Sequence, residues 1–228
     1  MTGVKALKEL TAPVEDYLKV IFELEAGVGI AGTNEIAAEL GVAAPSVSGM
    51  IRRLADNGLI AHERYRGVRL TKAGRRAALK TIRRHRIIES YLTSALGYPW
   101  DRVHDEAERL EHAASDELID RMAAAIGEPT TDPHGAPIPT REGTLDEPPV
   151  VPLAAIAAGK RVRVQRVGDR NAEQLRYLAE LGITPGQKIE VLTRAPFDGP
   201  ISLRVGRVVQ SIGPALANQI LVTPIRPE

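Results

Sequence analysis

Apolar residues recur at helical spacing through the first part of the chain and alternate with polar ones through the last. In "VEDYLKVIFELEAG", Val14, Tyr17, Leu18, Ile21 and Leu24 share one face, and the helix is expected to end at Gly27. "TNEIAAELGVAAPSVSGMIRRLADNGLI" predicts two short amphipathic helices, the first closed by Gly41 and the second opened by Pro45. Val47, Met50, Ile51 and Leu54 form the inward stripe of that second helix, which leaves Ser46, Ser48, Gly49, Arg52 and Arg53 outward. "LIAHERYRGVRLT" reads as a hairpin turning at Arg66-Gly67, and a long basic helix, "KAGRRAALKTIRRHRIIESYLTSALG", follows.

A single acidic helix is expected from Asp101 to Ile126. The stretch after it, "GEPTTDPHGAPIPTREGTLDEPPVVP", is crowded with Pro and Gly and has no period, so it reads as an extended linker, mobile in part. From Leu153 the alternation predicts strands in "KRVRVQRV", "QKIEVLTR", "ISLRV" and "QILVTPI", interrupted by the helix "NAEQLRYLAELG". Short strands with Gly/Pro turns predict a small β-barrel. The expected fold is mainly α with a small β part. Residues 1–75 form a winged helix-turn-helix, 76–150 a helical domain with its Pro-rich linker, and 151–228 the barrel.

The 228 residues contain no cysteine, which removes thiolate metal sites, disulfides and cysteine nucleophiles together. Any metal must therefore be held by oxygen and imidazole. No apolar run approaches the roughly 18 residues of a membrane span, and the N-terminus lacks a signal-peptide pattern, so a cytoplasmic location is expected. Charge is sorted along the chain. Residues 1–95 carry 15 Lys/Arg against 10 Asp/Glu, residues 96–150 carry 4 against 13, and residues 151–228 carry 11 against 6. A basic beginning suits a polyanion and an acidic middle suits a cation.

Helix, turn, helix and hairpin in that order describe a major-groove reader. Small and hydroxyl side chains on the second helix allow close approach to base edges, and its arginines can pair with phosphates. The expected contacts are Pro45, Ser46, Ser48, Gly49, Arg52 and Arg53, with Arg64, Tyr65 and Arg66 at the hairpin tip. The bland alternative is a helical packing module with a solvated basic face.

The acidic helix carries "HDEAERLEH". At about 100° per residue, His104, Glu108, Glu111 and His112 share an arc of roughly 100°. Asp105, Glu106 and Arg109 lie on the other side. One turn later Leu118, Ile119 and Met122 occupy the shared arc, so it faces a core, where carboxylates and imidazoles need partners or a cation. His85 and Glu89 stand at i, i+4 on the preceding helix, so three of the five histidines sit at ligand spacing from a glutamate. His62 and His134 read as structural or solvated. The alternative to a metal is a salt-bridge network with Arg83, Arg84 or Arg86. Carboxylates with imidazole suit Mn2+ or Fe2+ better than Cu+, and zinc stays open.

The stretches "EDYLKVIFELE", "APSVSGMIRRLADNGLI", "LTKAGRRAALKTIRRHRIIE", "VHDEAERLEHAASDE" and "DPHGAPIP" resemble the diphtheria-toxin-repressor family of metal-dependent transcriptional repressors, over nearly the whole chain. The resemblance implies a C-terminal SH3-like domain and a primary metal site of Asp16, Glu108, Glu111 and His112. It implies a second site of His85, Glu89 and His104, with Asn171, Glu173 and Gln174 as ancillary candidates. Iron-responsive members typically carry methionine where this chain has Asp16 and cysteine where it has Glu108. Two carboxylates there resemble the manganese-responsive branch, and hard oxygen for soft sulfur is the physical reason. One helical turn after Asp16, the short two-domain manganese regulators carry a further acidic ligand, whereas this chain has Lys19.

The implied function is a manganese-dependent repressor, a homodimer on double-stranded operator DNA, controlling manganese homeostasis genes. Neither a membrane nor a small organic substrate is expected as a partner, and no enzymatic activity is expected. Other divalent ions are expected to substitute in vitro. The alternatives are an iron-dependent regulator of the same family and a Mn-dependent hydrolase, since carboxylate–histidine clusters also activate water.

Overall fold

The computed structural model describes residues 10–63 and 67–225. The hairpin-tip residues Arg64, Tyr65 and Arg66 lie outside the described residues. The chain forms two compact units. One comprises the described residues up to Arg84 with Glu111–Ala114 and Pro139–Leu145; the other holds His85–Leu110, Ser115–Ile138 and the described residues from Asp146 onward.

The first unit begins with α1 (Ala12–Val28), α2 (Thr33–Leu40) and α3 (Ala44–Asp56), followed by the hairpin β1 (Ile60–Glu63) and β2 (Gly67–Leu70). Helix α4 (Lys72–Leu96) starts here. Leu18, Ile21, Ile36, Val47, Leu54, Leu59 and Val68 make the core, so the inward stripe of α3 is the one its periodicity assigns. Helix α1 runs one residue past Gly27, because Gly29 takes the left-handed conformation (φ 79°) that closes it, its N–H reaching the Glu25 carbonyl.

The acidic segment is not one helix. It divides into α5 (Val103–Leu110) and α6 (Asp116–Ala125), with Glu111–Ala114 between them. Ser115 caps α6 by accepting a hydrogen bond from the Leu118 N–H, and Asp116 and Glu117 follow in the first turn. Angular arithmetic at 100° per residue therefore ends at Leu110. Val103, Ala107 and Ile119 are buried as expected, while Leu110 and Leu118 are exposed.

In the second unit β3 (Val151–Pro152), β4 (Arg161–Val167), β5 (Lys188–Arg194), β6 (Ile201–Val205), β7 (Val208–Ile212) and β8 (Ile220–Pro224) form an antiparallel sheet in the order β3-β8-β4-β5-β6-β7. Helix α7 (Ala172–Glu180) and the short α8 (Pro214–Asn218) complete this SH3-like part. Leu153, Val162, Val164, Leu175, Ile189, Leu203 and Val222 fill its core. Strand β7 was not expected. Val208 and Val209 are both exposed, which hides the alternation.

The Pro/Gly-rich stretch is also more built than an extended linker. Asp132 Oδ1 accepts from the backbone N–H groups of His134 (2.8 Å) and Ala136 (2.9 Å). The Val167 N–H donates to the His134 carbonyl (3.0 Å). Gly135, at φ 89°, passes so close to the Gln165 carbonyl that a Cβ would lie 1.9 Å from its oxygen. Arginines of α4 satisfy proline-segment carbonyls: Arg83 donates to Pro139 O (3.0 Å) and Arg86 to Pro137 O (2.5 Å). These bonds, invisible to periodicity, order the stretch. No described helix is long and apolar enough to cross a membrane.

Candidate metal centres and DNA-reading face

Among the described residues, three groups of acidic and imidazole side chains lie close enough to share a cation, the donor atoms of each falling within 4.8 Å of one another. The first joins Asp16 on α1 to Glu111 and His112 in the turn after α5. His112 Nε2 stands 2.7 Å from Asp16 Oδ1 and 3.5 Å from Glu111 Oε1. On the other side of the ring, Nδ1 donates to Glu15 Oε2 (2.7 Å), and Arg84 donates to Glu15 Oε1 (3.2 Å). Glu15 therefore fixes the ring so that Nε2 faces the donor group. Burial works against a charged His112, but the bond to Glu15 and the nearby charges of Asp16 and Glu111 outweigh it, so its pKa is raised. Glu111 is fully buried, and Lys19 donates to both its oxygens at 3.1 Å.

The second group is His85, His104 and Glu108. His85 Nε2 and His104 Nδ1 are 3.1 Å apart, and Glu108 Oε1 lies 3.7 Å from His85 Nδ1 and 3.8 Å from His104 Nε2. Glu108 thus has these two histidines as neighbours. The helix ends at Leu110, so Glu111 and His112 depart from the helical face that Glu108 keeps.

The third group, Glu89, His134 and Asp169, was not foreseen as a set. His134 was read as structural or solvated, yet it is fully buried. Its Nε2 donates to the Trp100 carbonyl (2.8 Å), and its ring stacks on Trp100 with centroids 5.7 Å apart. That leaves Nδ1 directed to Glu89 Oε1, 3.8 Å away. Glu89 Oε1 also lies 3.1 Å from His85 Nε2 and 3.5 Å from His104 Nδ1. Glu89 thus adjoins the second group as well as its own.

These buried atoms bear on whether a cation fits. Both oxygens of Glu89, Oδ2 of Asp132 and Nδ1 of His134 are buried without a hydrogen bond. Buried polar atoms almost always find one, so three carboxylate oxygens gathered beside an imidazole nitrogen fit a cation as the missing partner. Burial opposes charge on Glu89, but the surrounding rings of His104, His134 and His85 hold its carboxyl well below the usual range. Burial, with repulsion from Glu89, pushes Asp132 up to about 6 although Arg86 stands 3.6 Å from it. His134 is disfavoured as a cation by burial, yet Glu89 and Asp132 lift it to about 9.

The ancillary candidates have other positions. Asn171 caps α7, its side chain accepting from the Gln174 N–H (3.0 Å); Glu173 is exposed and Gln174 half-buried. Asp169, two residues before the cap, is the carboxylate beside Glu89. The sequence signal for the missed residues was "DPHG": Asp132 and His134 sit where prolines and a glycine can fold the backbone around them. On α3, the proposed reading residues Pro45, Ser46, Ser48, Gly49, Arg52 and Arg53 are all exposed, while Val47, Ile51 and Leu54 are buried.

Comparison with known proteins gives a consistent picture. Residues 9–68 match the iron dependent repressor N-terminal DNA binding domain, residues 71–140 the iron dependent repressor metal binding and dimerisation domain, and residues 151–224 the FeoA domain. The diphtheria toxin repressor of Corynebacterium diphtheriae is 31% identical over 207 residues, covering 86% of this chain and 90% of that protein. The iron-dependent repressor IdeR of Mycobacterium leprae is 33% identical over 220 residues, covering 96% and 91%. A solved manganese-dependent transcriptional repressor in complex with manganese superposes with a TM-score of 0.88 at 41% identity, covering 93% of this chain and 100% of that one.

Proposed function

The chain belongs to the iron-dependent repressor family, that of the diphtheria toxin repressor, whose members are metal-dependent transcriptional repressors rather than enzymes; from that premise we propose that this protein is a manganese-dependent repressor that binds operator DNA as a homodimer and controls manganese homeostasis genes. The observation that carries the choice of ion is the donor set. Every group offers carboxylate oxygen and imidazole nitrogen, in a chain without cysteine. Such donors suit hard and borderline divalent ions such as Mn2+ and Fe2+ rather than Cu+, and the softer sulfur donors of the iron-responsive pattern are replaced by carboxylates at Asp16 and Glu108. The likeness to a manganese-dependent repressor at 41% identity supports the same reading.

Asp16, Glu111 and His112 are proposed as the first metal centre, with Glu15 orienting the imidazole. Glu89, His134 and Asp169, adjoined by Asp132, His85, His104 and Glu108, are proposed as the second. A bound divalent ion supplies positive charge and directional coordination at these atoms. In the first centre Asp16 is fixed on α1, the opening helix of the DNA-reading part, and Glu111 and His112 on the turn that leads from α5 to α6. Drawing these donors together narrows the conformations open to the reading part and raises the population that fits two half-sites. The exposed face of α3 then meets base edges through Ser46, Ser48 and Gly49 and phosphates through Arg52 and Arg53.

The test is operator binding by the full chain, titrated with Mn2+ and with Fe2+ without oxygen. Half-maximal binding is expected at a lower free concentration of Mn2+ than of Fe2+. Activation by Fe2+ at equal or lower concentrations would overturn the manganese assignment and favour the iron-dependent reading, which the likeness to the IdeR protein supports.

A further inference from the structure

The strands of the SH3-like part carry six Lys/Arg side chains and a single acid, Glu190. The other acids of this part lie elsewhere: Asp169, Glu173 and Glu180 before or on α7, Asp198 between β5 and β6, and Glu228 outside the described residues. Alternation turns Val162, Val164, Ile189, Leu203 and Val205 into the core and sets Arg161, Arg163, Lys188, Glu190 and Arg204 on the opposite face.

Register arranges these charges in rows. Arg161, Glu190 and Arg204 are cross-strand partners, and Arg204 donates to Glu190 Oε2 at 2.7 Å. In the next row Arg163 stands directly opposite Lys188. Like charges so placed destabilise a sheet, and an acid at either position would remove that cost. Arg163 is held by its bond to the Gly186 carbonyl (3.0 Å). Among the described residues, the side chains of Lys160, Arg161 and Lys188 form no ion pair or hydrogen bond. With Arg204 and Glu190 they line an open cleft of about 880 Å3. Gly159 and Gly206 edge it, and a Cβ at either would meet nothing within 4 Å, so the cleft is not walled in there. Three positive charges are therefore left uncompensated on one concave face, at a cost in sheet stability.

We propose that this cleft is a contact site for the phosphate backbone of duplex DNA, additional to the reading face of α3. The inference rests on the reading of the chain as a DNA-binding repressor. A polyanion fits better than a single small anion because the cations are distributed over β4, β5 and β6. Strands lie about 5 Å apart and alternate residues of a strand about 7 Å apart, so the patch is roughly 10 Å by 7 Å. Each DNA strand carries one phosphate per roughly 3.4 Å of helix axis, so a patch of that size meets two or three. Such a contact adds affinity without reading sequence.

Full-length, manganese-loaded protein is titrated with a duplex of random sequence over a range of salt concentrations. In the triple variant Lys160→Gln, Arg161→Gln, Lys188→Gln, the steepness of log affinity against log salt is expected to fall by about 2 to 3, with binding at low salt weakened about tenfold or more. The loss is expected to be the same on duplexes of different sequence. Should the triple variant not fold, Lys188→Gln alone is expected to lower the steepness by about 1. The chain has no cysteine, so Lys188→Cys carries a single photo-cross-linker in the cleft and Glu180→Cys one on α7, outside it. An adduct with DNA is expected from the first and not from the second. An unchanged salt dependence, equal adducts at both positions, or a changed salt dependence without an adduct at Lys188→Cys would each overturn the contact. Absence of any duplex binding by the wild-type chain would overturn the repressor reading along with it.

Discussion

The group around Asp16 and the pocket around Glu89 use the same residue types and solve their charge problem in opposite ways. Around Asp16 the buried carboxylate of Glu111 is met by Lys19, and His112 is met by Glu15, itself paired with Arg84. Around Glu89, four buried polar atoms have no hydrogen bond. The first cluster pairs its charged side chains with one another, so a cation bound there would rearrange existing pairs. The second stores an unmet demand, and a cation relieves it. The difference separates response from stability: the self-neutralised group suits a switch, and the unsatisfied pocket suits an ion that supports the fold.

The largest test of that division is Asp16→Ala. It is expected to lower metal-dependent operator affinity by at least about a hundredfold, since even residues behind a ligand cost 10–100-fold, while the melting temperature of the metal-free protein barely moves. A large loss of metal-free stability would show that the two groups are not divided as described. Next in size is the effect of chelation. At a free ion concentration about 100 times the dissociation constant, loading stabilises by about 2.7 kcal/mol, and most of the rise in melting temperature is expected to vanish in Glu89→Gln but persist in Asp16→Ala. Equal losses in both would erase the contrast. Smaller again, Glu15→Gln weakens the acceptor for His112 Nδ1 and is expected to reduce metal affinity about tenfold, measured by Mn2+ titration, with no change at the Glu89 pocket.

The smallest effect is on pH. His134 is lifted to about 9 and Asp132 to about 6 in the folded protein. Each group therefore binds its proton more tightly folded than unfolded, and its stabilising contribution is lost as pH rises. For Asp132 the loss runs from its ordinary 3.8 to about 6, and for His134 from 6.5 to about 9. Metal-free protein should thus melt lower at pH 9 than at pH 6.5, in scans at matched ionic strength. His134→Gln should flatten that slope, and manganese, which needs His134 Nδ1 without its proton, should reverse it. A slope carried instead by His112 would show up in Glu15→Gln.

Much of this was legible before any coordinates. The stripe Val47, Ile51 and Leu54 is set by a periodicity that packing had no reason to override, and it left Ser46, Ser48, Gly49, Arg52 and Arg53 outside. His85 and Glu89 stand at i, i+4 and lie beside His104, and that spacing survives folding because each helix is regular where they sit. The split of the acidic segment was also written in the chain, as Ser115-Asp116-Glu117, a helix start that the dense charge pattern masked. The arc that places His104, Glu108, Glu111 and His112 together assumes an unbroken helix, and α5 ends at Leu110. The pocket formed by Asp132, His134 and Asp169 is marked in the sequence by the short stretch DPHG alone, for another reason. Its residues come from a Pro/Gly stretch and a strand end, which are brought together by hydrogen bonds such as Val167 N–H to His134 O, and those have no period to read.

The break between α5 and α6 has a bearing on time as well as geometry. Glu111 and His112 belong to the four residues between the two helices. A ligand inside a helix is released only when several turns open together, whereas a short turn can open by itself, with little apolar surface exposed. At the proposed centre, the interval over which an ion stays bound after its concentration falls would then be governed by the opening of that turn. The molecule's memory of its last ion is as long as four residues allow.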